Sequence, residues 1–317
     1  MDKRRVGRTD LTIDPLVFGG NVFGWTADKI TSFAILDKLA DTGLTTIDTA
    51  DVYSTWVPGN SGGESESIIG EWMQSTKRRS QITLITKVGM DMGAAGKGLS
   101  AAHIESAVEA SLKRLRTDYI DIYFSHKYDP DVAQEETLAA HDRLIKAGKV
   151  RVIGASNYDA EQLRAALDVS AARNLARYEI LQPGYNLYDR AEFDGPLRDL
   201  AMAEEIAVIP YYSLARGFLS GKYRSKSDMD KSPRGAAAVE NYLNERGIRI
   251  LDALDEVSER HQAQPAEVAL AWLMARPGIT APIASASRLE QLDSLINAVA
   301  LKLDSADIAL LDDASRY

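Results

Sequence analysis

Cysteine is absent from the 317 residues, which excludes a disulfide framework, a thiolate nucleophile, an iron–sulfur cluster and any cysteine-ligated zinc site. Histidine is scarce: the 4 present are His103, His126, His141 and His261. None falls in an HExxH spacing, so no metal site is expected. A positive excess is also lacking, because 37 Lys and Arg stand against 46 Asp and Glu for a net charge of -9. That balance argues against a nucleic-acid footprint and against adhesion to anionic membranes. No apolar run approaches the ~18 residues of a membrane span. The opening MDKRRVGRTDLTIDPLVFGG has neither the apolar core nor the cleavage site of a secretory signal. A cytoplasmic protein without nucleic-acid or membrane partners is expected.

Several nucleotide and hydrolase motifs are missing too. GxGxxG does not occur, which removes a Rossmann dinucleotide site. GMDMGAAGKG (89–98) fails as a phosphate loop, since Gly98 follows Lys97 where Ser or Thr is needed and Asp91 stands where the loop needs Gly. GxSxG is absent, so there is no nucleophile elbow.

What remains is a chain with 45% hydrophobic and 26% charged residues, the balance of an ordinary globular domain. It repeats a short β-rich apolar run, a polar loop and an amphipathic helical segment. The runs are PLVFG (15–19), TTIDT (45–49), ITLITK (82–87), YIDIYFS (119–125), VRVIGA (150–155), YEILQ (178–182), AVIPYY (207–212) and APIAS (281–285). In the helical segment 27–43, Ile30, Phe33, Ala34, Leu36 and Leu39 fall near helical spacing, and Gly43 suits a C-cap. Strands alternating with helices imply βαβ crossovers and a parallel sheet. The fold class is therefore α/β, and eight repeats suggest a single (β/α)8 barrel spanning 1–317, with an open doubly wound sheet as the alternative. Stretches 53–67 and 220–242 break the period and read as long loops on one face; SADIALLDDASRY reads as a C-terminal helix.

Barrel active sites lie at the C-terminal ends of the strands. The polar residues found there are Asp48 and nearby Tyr53, Lys87, Ser125 and His126, Ser156 and Asn157, Gln182, Tyr211 to Ser213, and Ser285. Singly, each has an ordinary structural explanation as a cap, a strand end or a packed ring. Together, Asp, Tyr, Lys and His suit one task. A phenol with a pKa near ~10 becomes a usable acid if a buried ammonium stabilises its phenolate. A carboxylate then balances the ammonium, and an imidazole orients the substrate oxygen. That set fits protonation of an oxygen turning alkoxide-like during carbonyl reduction. The protein itself has no hydride to give, which points to a nicotinamide cofactor.

These residues lie in segments that resemble the aldo-keto reductase superfamily along nearly the whole chain: IDTADVY, ITLITK, YIDIYFSH, VIGASN, LQPGYN, YYSLARGFLSGKY and ASRLEQL. The resemblance implies a catalytic tetrad of Asp48, Tyr53, Lys87 and His126, with Tyr53 the general acid. It implies that Ser156, Asn157 and Gln182 bind the nicotinamide carboxamide and that Tyr212 stacks on the ring. By the same resemblance Ser213, Leu214, Arg216 and Gly217 cradle the pyrophosphate, with Lys222 nearby. Ser287 and Arg288 meet the 2′-phosphate and Gln291 the adenine or ribose, so NADPH is expected over NAD. Three positions depart from the pattern: Ser285 where glycine is common, Leu214 where proline is usual, and Leu295 where related bacterial sequences have asparagine.

Phe23, Trp25, Trp56, Val57 and Tyr128 are candidate pocket walls, and an aromatic pocket suits a bulky or cyclic aldehyde or ketone. Two rival functions accompany this reading. Some members of the superfamily are redox-sensing regulatory subunits of membrane channels that turn over slowly. A barrel hydrolase would instead use paired carboxylates such as Asp48 with Asp51, or Asp121 with a partner.

Overall fold

The computed structural model describes residues 2–317. Eight parallel strands form one sheet: β1 (Val17–Gly19), β2 (Thr46–Asp48), β3 (Thr83–Val88), β4 (Ile120–Ser125), β5 (Val150–Ser156), β6 (Tyr178–Gln182), β7 (Ala207–Val208) and β8 (Ile283–Ala284). Strands β1 to β7 are neighbours in chain order, and β8 returns to pair with β1 through Ile283 opposite Val17. The ring is closed on the other side of β8, where the Ile283 N–H donates to the Pro210 carbonyl at 2.9 Å and Thr280 N–H to Val208 at 2.8 Å. The expected (β/α)8 barrel is therefore the fold. Each expected strand is present, although β7 stops at Val208 and only an isolated bridge from Gly184 to Tyr211 prolongs it.

Helices α1 (Lys29–Thr42), α2 (Glu64–Thr76), α3 (Ala101–Leu115), α4 (Gln134–Lys146), α5 (Ala160–Arg173) and α6 (Pro196–Ala203) follow the first six strands. α1 starts where the Asp28 carboxylate accepts the Thr31 N–H at 2.8 Å, and it ends at Gly43 with φ 81°. Its buried side is Ile35, Leu36 and Leu39. Ile30, expected on that side, is 83% exposed. It lies five residues before Ile35, about 140° round the helix.

Two features depart from the sequence reading. Residues 220–242 fold rather than loop: a 3-10 segment, Lys226–Lys231, leads into helix α7 (Gly235–Tyr242). The alanine run there favours helix, and Ala238 and Val239 are buried. An N-terminal hairpin, Arg4–Arg5 antiparallel to Thr12–Ile13, precedes the barrel. Its Val6, Leu11 and Ile13 pack with Val17, Ile85, Ile122, Phe124 and Ile180 inside the barrel, so the hairpin plugs the end opposite the strand C-termini.

Helices α8 (Glu245–His261), α9 (Pro265–Ala275), α10 (Leu289–Ala300) and the expected α11 (Ser305–Ala314) complete the shell. The larger core lies between these helices and the outer face of the sheet. No helix among the described residues is long and apolar enough to cross a membrane. Gly154 of β5 shows how full the interior is: an added Cβ would lie 2.5 Å from the Phe124 ring and 2.8 Å from Ile180.

Candidate active site

Alternation along the strands carries the chemistry. Ile85 of β3 and Ile180 of β6 belong to the barrel interior, so Lys87 and Gln182, two residues on, share that inward face one layer higher. Asp48 ends β2 and pairs in register with Ile85. The barrel mouth thus collects polar groups from strands distant in sequence.

Lys87 is fully buried, and each of its three ammonium protons has an acceptor. It donates to Asp48 at 2.7 Å, to the Thr49 carbonyl at 2.8 Å and to the Tyr53 hydroxyl at 2.9 Å. The Tyr53 hydroxyl donates in turn to Asp48 Oδ2 at 3.1 Å. The His126 ring stands 6.2 Å from the Tyr53 ring, centroid to centroid, in an edge-on arrangement. Asp48, Tyr53, Lys87 and His126 are therefore gathered in one place.

The electrostatics of the resting site differ from the simple expectation for a phenol beside an ammonium. Burial, and then the Asp48 charge, push Tyr53 well above its usual pKa. Dehydration outweighs the ammonium, and the carboxylate that balances Lys87 also repels a phenolate. Burial lowers Lys87 as well, against the opposing pull of Asp48. Burial and then the Lys87 charge hold His126 well below the usual imidazole range. The resting site therefore presents a protonated phenol beside a neutral imidazole, whose Nδ1 is buried without a partner.

Gln182 Nε2 donates to Asp48 Oδ1 at 3.0 Å, and the Ser156 hydroxyl donates to the Gln182 carbonyl at 3.0 Å. Asn157 has φ 55° and donates to the His126 carbonyl at 2.9 Å. Its side-chain oxygen accepts from the Tyr211 hydroxyl at 2.7 Å, a link across the mouth that local sequence pattern did not signal. Tyr212 also adopts a left-handed backbone, φ 56°, and leaves its ring 44% exposed. Arg216 and Gly217 follow with φ 57° and 93° in a tight turn, in which the Ala215 and Gly217 N–H groups donate back to the Tyr212 and Leu214 carbonyls at 2.7 and 2.8 Å. The Ser213 hydroxyl likewise donates inward to the Pro210 carbonyl at 3.1 Å, so only its backbone is free to serve a ligand. Lys222 Nζ lies 5.0 Å over the Tyr223 ring.

In the ASRLEQL turn, Gln291 Oε1 accepts from the Ser287 N–H at 2.9 Å and the Ser287 hydroxyl at 3.2 Å. Arg288 is exposed at the start of α10. Leu295 is buried in the core, which accounts for an apolar residue at that position. An exposed ring face, the Arg216 cation on a tight turn and the outlying Arg288 guanidinium form a set that fits a nicotinamide dinucleotide.

Among the expected wall residues, Trp25 and Trp56 meet edge to face at 5.6 Å, and Trp56 lies 6.1 Å from Tyr53. Tyr128 packs edge-on against Tyr158 at 5.5 Å. Phe23 corrects the expectation: it is fully buried and stacked on Phe18, so it backs the wall instead of lining it. Val57 is partly exposed in the same loop.

The carboxylate pairs of a hydrolase are not assembled. Asp121 is tied to Arg79 at 2.9 Å, Arg151 at 2.8 Å and the Leu84 N–H at 3.0 Å, at the opposite end of the strands. Asp51 is buried behind the tetrad, with Oδ1 unpartnered. Burial and the neighbouring Glu66 raise its pKa to about 7. Glu66 itself accepts from Thr86 at 2.6 Å and Arg114 at 2.6 Å. Ser125 faces away from the mouth, bonded to Tyr178 at 2.8 Å and His141 at 3.0 Å.

A model described as the Aldo/keto reductase family matches residues 15–316. The uncharacterized oxidoreductase YrpG of Bacillus subtilis is 32% identical, over 99% of this chain and 95% of its own. L-glyceraldehyde 3-phosphate reductase of Escherichia coli is 28% identical over 98% of this chain and 92% of its own. A rice protein named "Probable voltage-gated potassium channel subunit beta" is 30% identical over 92% of this chain and 89% of its own.

Proposed function

This chain belongs to the aldo/keto reductase family, a carbonyl-reducing oxidoreductase family with a nicotinamide cofactor, and we propose that it reduces a bulky or cyclic aldehyde or ketone with NADPH. Bound NADPH supplies the hydride that reaches the carbonyl carbon. The chain's own residues handle the proton. Tyr53 gives its hydroxyl proton to the carbonyl oxygen as negative charge gathers there, and Lys87 and Asp48 hold the phenol in place. His126, neutral, orients that oxygen. Gln182 adds a further donor to the Asp48 carboxylate.

The observation that carries this reading is the Lys87 ammonium shared between Asp48 and the Tyr53 hydroxyl at 2.7 and 2.9 Å. Preference for NADPH rests on Arg288, an exposed cation suited to a 2′-phosphate. The Trp25 and Trp56 rings favour a broad apolar substrate. The test is NADPH consumption across aldehydes, cyclic ketones and quinones, compared with NADH and with Tyr53→Phe. Turnover that survives intact in Tyr53→Phe removes the proton-donor role.

The likeness to the named channel subunit supports a second reading, a cofactor-binding regulatory subunit with slow turnover. Tight NADPH retention with turnover slower than about one per minute on every panel compound would select it, well below the usual ~1–1000 per second.

A further inference from the structure

Proton transfer uses Tyr53, Lys87, Asp48 and His126 and leaves Tyr211 without a task, yet Tyr211 is tied along its whole length. Its backbone prolongs the short β7: the Tyr211 N–H donates to the Pro183 carbonyl at 2.9 Å, and its carbonyl accepts from the Tyr185 N–H at 3.3 Å, opposite Gly184. The ring then passes over that glycine. An added Cβ on Gly184 would lie 3.3 Å from the Tyr211 hydroxyl and 3.4 Å from its Cζ. Gly184 has no left-handed backbone to explain it, so the missing side chain serves the phenol: anything longer would contest the space the ring fills.

At its tip the Tyr211 hydroxyl donates to Asn157 Oδ1 at 2.7 Å. The other end of that amide donates to the His126 carbonyl at 2.9 Å and to the Ser156 hydroxyl at 3.1 Å. The three bonds decide which way round the amide lies, because the reverse orientation would set Oδ1 against the His126 carbonyl, acceptor against acceptor. Along its flank Tyr211 meets Tyr212 edge to face, with centroids 4.8 Å apart, a favourable aromatic arrangement.

Asn157 and Tyr212 both stand in the open, where a side chain turns freely unless something holds it. They are also the two groups that the family resemblance gives to the nicotinamide, one for its carboxamide and one for its ring face. A single phenol touches both. Asn157 Oδ1 keeps a second lone pair while Tyr211 occupies the first, so the tie and a ligand contact are compatible.

We propose that Tyr211 is a positioning residue for the nicotinamide end of the cofactor: its hydroxyl orients the Asn157 amide and its ring edge backs the Tyr212 ring, so that both are set before the cofactor arrives. This rests on the reductase reading and adds a residue that reading does not use. Ordering done in the free protein does not have to be done on binding, and affinity gains accordingly.

The test compares NADPH and NADH with 2′-phospho-ADP-ribose, which is the phosphorylated cofactor without its nicotinamide, by calorimetric titration of the parent, Tyr211→Phe and Tyr211→Leu. Tyr211→Phe keeps the ring and removes the hydroxyl. It is expected to raise Kd for NADPH and NADH by the same factor, about 3- to 10-fold, the loss of one neutral hydrogen bond, and to leave 2′-phospho-ADP-ribose unchanged. Tyr211→Leu also removes the ring edge and should weaken both dinucleotides further. Unchanged dinucleotide affinity in Tyr211→Phe overturns the proposal while the reductase reading stands. Equal losses for NADPH and 2′-phospho-ADP-ribose show a general structural role and overturn it as well. A parent that binds no dinucleotide overturns the reductase reading and this proposal with it. Gly184→Ala presses on the same phenol from β6 and is the second variant if Tyr211→Phe does not fold: a selective loss for the dinucleotides is expected, and parent-like affinities count against the proposal.

Discussion

Gln182 and Asp48 lie 134 positions apart in the chain, yet the Gln182 amide donates to Asp48 Oδ1 at 3.0 Å while Lys87 and Tyr53 hold the same carboxylate. A side chain that the family resemblance assigns to the nicotinamide carboxamide is therefore also a brace for the tetrad. Gln182→Leu is expected to weaken cofactor binding and lower kcat together, by about tenfold each, the loss of one buried hydrogen bond to a charged group. Stopped-flow measurement of the chemical step checks this. An effect confined to cofactor Kd removes the bracing role.

Tyr53→Phe deletes one hydroxyl from a buried network and leaves the ring in place. Turnover is expected to fall about 10²- to 10⁴-fold, the range for loss of a positioned general acid. The fold and NADPH binding should persist, read by circular dichroism and fluorescence titration.

The raised phenol gives the two reaction directions different pH profiles. Reduction needs the phenol, which is held protonated across the neutral range. Alcohol oxidation needs the phenolate, so its rate is expected to climb with pH through at least 9, while the reductive rate shows no loss attributable to this group. Parallel profiles in the two directions would contradict the assignment.

Asp51 makes a stability prediction of definite sign. Its folded pKa is about 7 against an ordinary 3.8, so between those values the folded protein holds a proton that the unfolded chain has released. Stability from this group therefore falls as pH rises through that window, by an amount on the order of 4 kcal/mol. Asp51→Asn removes the dependence. Its stability relative to the parent should grow between pH 4 and pH 8, as measured by urea unfolding; a constant difference would show that Asp51 does not titrate there.

Arg288→Ala is expected to weaken NADPH about 10- to 100-fold and to leave NADH nearly untouched, since only the former carries the 2′-phosphate. Paired fluorescence titrations decide it. Equal losses for both cofactors place Arg288 elsewhere.

The parts of this site carried by short-range alternation were legible in the sequence. Lys87 two residues after Ile85, and Gln182 two after Ile180, follow from the period of a strand, and the barrel follows from eight repeats of strand and helix. Groups whose meaning depends on distant partners were not legible. Asp51 reads as one more polar residue until burial and Glu66 surround it, and Tyr211 gains its role only by reaching Asn157 across the mouth. Arg234 lies in a stretch whose Lys, Ser and Asp content resembles a loop, so the helix it caps and its place 4.8 Å over the Trp25 ring were both hidden. The plugging hairpin escaped notice because its strands are two residues each, too short to show a period. Phe23 erred in the opposite sense: its place beside a strand end suggested a pocket, whereas its ring packs on Phe18 below.

The barrel's first and last strands are also its partners, and Arg4 of the plugging hairpin donates to the Thr280 carbonyl at 2.6 Å, a contact spanning 276 positions. A ribosome delivers the hairpin and β1 long before it delivers β8. Until β8 emerges the nascent chain must therefore carry an open sheet, its first strand lacking one of its two neighbours and its inner apolar face uncovered. Closure waits on residues beyond 270 leaving the exit tunnel, and it is the step at which a stalled or clipped chain is most exposed to aggregation.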